Sequence, residues 1–258
     1  MTATVRSITQ DGRFEPFELQ VARGMIYGHS PIQIFGFSNA VGSSAFGPLW
    51  EGLTASGGAY TYPSSAGQVV LVSSSASDTS ALSVQVQGLD ANYNILNETI
   101  AMNGTTNVTT VNSFFRINAI VTTNGVNVGT ITAKIGGTLY AQINAGIGST
   151  QMSIYTVPAG YDFYLSYIQG DANIGFTSSS YMTFQEYNKD NTTGHINILN
   201  QSTFVQSFNF PFTCPIKHPE KMDIQYQIKA YSGSNGIANI YAGGILIQKD
   251  ILTTQYGQ

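Results

Sequence analysis

Charge is what this sequence has least of. Ten basic and fourteen acidic residues make up 9% of the 258-residue chain, where soluble domains usually carry about 25%. Long solvated helices need Lys and Glu on their outer faces, and here Ser, Thr, Asn, Gln and Gly stand in their place, so helix is expected to be scarce. No basic cluster is present and the net charge is −4, which leaves no footprint for neutralising phosphates, so nucleic acid is not an expected partner. The single cysteine, Cys214, excludes an internal disulfide and reads as a small buried apolar side chain. No apolar leader opens the chain and no apolar run reaches the length of a membrane span, so neither a signal sequence nor membrane insertion is expected.

What is present is period-two alternation between turn signals. Leu82, Val84 and Val86 alternate with Ser83, Gln85 and Gln87, the pattern of a half-buried strand. Asp90-Ala91-Asn92-Tyr93 follows as a hairpin turn, and Ile95 to Met102 return to Asn103-Gly104, a strong hairpin signal. Alternation resumes over Phe115 to Val121 before Asn124-Gly125, and over Ile131 to Ile135 before Gly136-Gly137. After the Gly-rich stretch at 145–150 a second set of strands starts at Met152 and runs to Gln248, with a polar hairpin tip at Lys189 to Gly194. The prolines at 211, 215 and 219 mark a long connection in which central strand pairing is forbidden.

The expected fold is all-β: two jelly-roll or Greek-key β-sandwiches, residues 25–146 and 147–258, behind an N-terminal arm of residues 1–24. A single larger sandwich with a side sheet fits the same strand count. The arm holds much of the charge, and Arg6, Arg13, Phe14, Phe17 and Arg23 are its candidate contacts with a neighbouring subunit.

Catalytic and metal motifs are missing. His29, His195 and His218 stand in no HxH, HExxH or CxxC spacing and read as turn or surface residues. Asp90, Asn92 and Asn94 open like a calcium loop, but Ile95 and Ala101 occupy the positions of its glycine and bidentate glutamate. The serine run at 73–77 lacks the lysine of a phosphate loop. Asn-x-Ser/Thr triplets at Asn97, Asn103, Asn107, Asn191 and Asn200 follow from composition. No cofactor is expected, and no enzyme. Trp50, Tyr60 and Tyr62 sit among glycines and prolines, outside the alternating strands, and are the candidate glycan-stacking or interface aromatics.

Several phrases of the chain resemble virion structural proteins of tailed bacteriophages, particularly those infecting marine bacteria. They are FELQVARG at 17–24, VQGLDANY at 86–93 with NGTT at 103–106, FRIN at 115–118, YTVPAGY at 155–161 and PEKMDIQY at 219–226. The resemblance implies a non-enzymatic particle component assembled in the bacterial cytoplasm. It would be either a decoration or cement subunit on the head or a tail ring, fibre or host-glycan-binding protein. Its implied partners are other copies of itself, such as a trimer, other virion proteins such as the major capsid protein, and a host-surface glycan.

Overall fold

The computed structural model describes residues 15–50, 52, 60–173, 181–231 and 236–250. In chain order, the helix α1 (Phe17–Ala22) is followed by β1 (His29–Val41) and β2 (Gly47–Pro48). Next come β3 (Gly67–Ser73), β4 (Ser83–Leu89), β5 (Ile95–Ala101), β6 (Val108–Phe114), β7 (Arg116–Thr122), β8 (Ile131–Ile135) and β9 (Thr138–Ile143). The chain continues as β10 (Ile154–Thr156), β11 (Tyr161–Asn173), β12 (Met182–Asp190), β13 (Ile196–Phe204), β14 (Ser207–His218), β15 (Met222–Ala230) and β16 (Gly236–Gln248). All pairings between strands are antiparallel, and among the described residues no helix is long and apolar enough to cross a membrane.

The last seven strands do not form a sandwich by themselves. One sheet runs β1-β16-β11-β14 and the facing sheet β10-β15-β12-β13. Partners nest about the β12–β13 hairpin: β11 pairs with β14, β10 with β15, and β1 with β16, alternating between sheets. A long antiparallel ribbon rolled around one core gives this order, that of an eight-stranded jelly roll. Phe163, Leu165, Ile168, Phe184, Tyr226 and Ile240 fill its interior.

Strands β3 to β9 form a second sandwich, with sheets β6-β3-β8-β9 and β5-β4-β7, inserted between β2 and β10. β6 returns to lie beside β3, a Greek-key path. The domain division expected from the sequence is therefore corrected at its first boundary. β1 and β2 belong to the C-terminal sandwich, because the backbone groups of β1 pair with β16 and those of β2 with β15, strands at the far end of the chain. Asn103-Gly104 turns the chain as expected, closing an isolated antiparallel bridge between Asn103 and Thr106, but β5 and β6 then part into different sheets instead of pairing as a hairpin. Gly136-Gly137 does close one: Ile135 pairs with Thr138, and the two glycines take φ of 57° and 85°, as a two-residue turn with positive φ at both positions requires.

A buried ion pair joins the sandwiches. Arg116 of β7 donates from Nε and Nη2 to the two carboxylate oxygens of Asp223 on β15, at 2.9 and 3.0 Å. Its Nη1 donates to the carbonyls of Phe115 and Pro63, and Thr156 Oγ1 donates to Asp223 at 2.6 Å. Phe115 and Tyr62 cover the guanidinium at 4.1 and 4.8 Å. Burial alone would lower the Arg116 pKa, but Asp223 outweighs it and the net direction is up. Beside this pair, Asn118 and Thr156 exchange hydrogen bonds across the joint.

Candidate functional site

Open sheet edges are where a β-protein meets another chain, because their unpaired N–H and C=O groups are ready to accept a strand. Three of the four jelly-roll edges are guarded. β14 carries Pro211 and Pro215, β1 carries Pro31 and is flanked by α1, and β10 is three residues long and abuts β7. The fourth, β13, has neither proline nor charge in its nine residues, INILNQSTF. Residues 196–199 are exposed on both faces, so this half of the strand projects past the facing sheet. Ile196, Ile198 and Leu199, with Val205 just beyond, expose 49, 55, 38 and 54% of their surface.

A buried polar cluster holds this edge from behind. β13 is bulged opposite Phe184 to Glu186, where Asn200 takes a φ of 51°. Asn200 Nδ2 donates to Glu186 Oε2 at 2.6 Å, and Asn188 Nδ2 donates to Oε1 at 2.8 Å. His218 Nε2, at the end of β14, lies 2.5 Å from the same Oε1. Glu186 and His218 are fully buried. Burial pushes the Glu186 carboxyl up, but His218, Asn188 and Asn200 together outweigh it and hold the carboxyl below its usual range. The cluster thus ties β12, β13 and β14 together.

The residues named from the sequence fall elsewhere. Arg6, Arg13 and Phe14 lie outside the described residues. Phe17 and Arg23 belong to and cap α1, with Phe17 edge-on to His29 at 5.8 Å and Arg23 paired with Glu15. Trp50 and Tyr60 are buried, not presented to solvent. Trp50 stacks edge-on to Tyr60 at 5.4 Å and Tyr60 to Tyr62 at 5.0 Å, and the phenols of Tyr60 and Tyr62 donate to the carbonyls of Tyr140 and Ile224. Burial pushes both tyrosine pKa values up. Gln225 of β15 donates from Nε2 to the Tyr60 carbonyl at 3.1 Å, which ties this aromatic group to the joint.

His218, expected at the surface, is inside because the proline-bearing segment around it is a strand at a sheet edge. Cys214, expected inside, is exposed on that same edge strand. Glu186 carried a signal that went unread: Met182, Phe184, Glu186 and Asn188 share the inward phase of one strand.

No protein-family model and no curated protein matches the chain. Solved structures to which it is similar include a mutant VP2 protein of infectious bursal disease virus, from derived T=1 particles. Identity is 10%, the TM-score is 0.20, and the match covers 94% of this chain and 77% of that one. A VP2 subviral particle of the same virus gives 11% identity and a TM-score of 0.17, over 86% of this chain and 72% of the other. Likeness at this level carries no argument about this protein.

Proposed function

We propose that the chain is a non-enzymatic structural subunit of a tailed-phage particle, a decoration or cement protein on the outside of the head that assembles with copies of itself. The observation that carries this is the unguarded β13 edge on a charge-poor jelly roll. A free-standing soluble domain ordinarily blunts such an edge with charge or proline; a subunit that always meets a neighbour has no need to. The low surface charge supports the same reading, since it lowers repulsion between crowded copies. The sequence resemblance to phage virion proteins supplies the particle. The role is mechanical, a matter of backbone pairing and apolar contact spread over an interface, with the N-terminal arm gripping an adjacent subunit.

Light scattering on the purified chain tests the assembly edge. The wild type is expected as one discrete oligomer. Ile198→Lys, which places a charge on the open edge, is expected to raise the dissociation constant about tenfold or more while the circular dichroism spectrum stays that of the folded wild type, and a monomeric wild type would remove the carrying observation. Deleting residues 2–14 tests the arm: incorporation into particles is expected to fall while the isolated protein still folds, and unchanged incorporation contradicts a latch. A tail position with host-glycan binding is the second reading, favoured by the aromatic row that crosses β11, β16 and β1 on the outer face of the jelly roll.

A further inference from the structure

The outer face of the β1-β16-β11-β14 sheet is not a plain polar surface. Tyr167 and Tyr241 lie 5.6 Å apart, centroid to centroid, with planes tilted by 33°, and Phe35 lies 6.5 Å beyond Tyr241. The three rings come from β11, β16 and β1, and the register puts Phe35 opposite Tyr241 and Tyr241 opposite Gln169. Glycine makes the row possible. A Cβ at Gly243 would meet Tyr167 Oη at 2.4 Å, so the Tyr167 ring lies across a bare stretch of backbone that any other residue would block. Phe35 exposes 38% of its surface.

The row runs into a cleft. Where β1 faces the inserted sandwich, a space of about 340 Å³ is lined by Gln33, Phe35, Gln87, Asn118 and Thr150, among others, a volume within the range of small-ligand sites. Phe35 belongs to both the row and the cleft, and Gln33, two residues before it on β1, lines the cleft beside it. None of the cleft-lining side chains is charged.

These features narrow the ligand. Aromatic faces accept the C–H faces of sugar rings, and amides and a hydroxyl each offer donor and acceptor to sugar hydroxyls. A single-stranded nucleic acid would also stack, but it needs a positive groove. An anionic glycan would need a cation that the cleft does not supply. We infer that the Tyr167–Tyr241–Phe35 row and the adjoining cleft form a binding site for a neutral oligosaccharide. The site does not depend on where the subunit sits on a particle, and its test needs no particle.

Calorimetric titration of the full chain with glucose-, galactose- and N-acetylglucosamine-based hexasaccharides is the test. At least one is expected to bind. Phe35→Ala and Tyr241→Ala are each expected to weaken it about tenfold, and Gln33→Ala to weaken it less. Should Tyr241→Ala fail to fold, Phe35→Ala gives the same reading from an exposed ring. Trp50→Phe, inside the joint, is expected to leave affinity unchanged. The inference is overturned if none of the sugars binds, or if the Phe35→Ala/Tyr241→Ala double variant binds as well as the wild type. It is equally overturned if the row variants alter only self-association, which would make the face a protein contact.

Discussion

Arg116→Ala is expected to cost about 3–5 kcal/mol of unfolding free energy, a large part of the roughly 5–15 kcal/mol that holds a typical domain folded. The loss comes less from the missing attraction than from what stays behind. Asp223 is 1% exposed and, among the described residues, keeps the Thr156 hydroxyl against its Oδ1; without the guanidinium its charge is buried and uncompensated. Arg116→Lys is expected to recover only part of the loss, because an ammonium cannot reach both carboxylate oxygens and the carbonyls of Phe115 and Pro63 together. Replacing both partners, Arg116→Met with Asp223→Leu, is expected to restore most of the stability, since neither charge is then left stranded. Urea unfolding followed by Trp50 fluorescence measures this at the right place, since the chain has one tryptophan and it packs at the joint. Wild-type stability in Arg116→Ala would show that the sandwiches are held together by something else.

His218→Ala is expected to be comparably damaging, about 3–5 kcal/mol, by the same logic of an unpaired buried carboxylate. Glu186→Gln should be milder, because the amide oxygen still accepts from Asn188 and His218 and no charge is buried, although its NH2 cannot accept from Asn200. The pair also sets a pH dependence. The folded-state pKa of Glu186 is depressed, so its contribution is fully present above the unfolded value, about 4.3 for a glutamate. That contribution is lost as pH falls through the folded value. Melting temperature is therefore expected to fall more steeply on acidification in the wild type than in Glu186→Gln, below about pH 4.3. Parallel acid profiles for the two proteins would contradict this assignment. Because the cluster positions β13, His218→Ala is also expected to weaken self-association.

Those two clusters mark the limit of what local patterning can reveal. The alternation of Val84 and Val86 with Gln85 and Gln87 is realised as β4, with the valines in the core and the glutamines outside. The turn at Asp90 forms as its side chain dictates: Oδ1 accepts from the backbone N–H groups of Asn92 and Asn94, although the positive φ falls on Tyr93. Such features depend on a few neighbouring residues. Strand β1 does not: its partner is β16, and nothing near His29 says so. Arg116 and Asp223 likewise meet only because an inserted sandwich docks on a jelly roll. The prolines of β14 were legible as an obstacle to central pairing, but a strand at a sheet edge tolerates them on its open side, and that placement sends Cys214 outward and His218 inward. For Trp50 and Tyr60, the flanking glycines and prolines fix a loop and say nothing of the side chains beneath it. The open edge of β13 was the least legible of all, because INILNQSTF reads like any other strand until the sheet order shows that, among the described residues, one side has no partner strand.

Locating the subunit in a map of intact, purified phage particles tests the central claim most directly. Symmetric oligomers of the double sandwich are expected on the outer surface of the head, with β13 at the contact between copies. Particles that lack the chain altogether, or contain it as isolated monomers with β13 facing solvent, would contradict it.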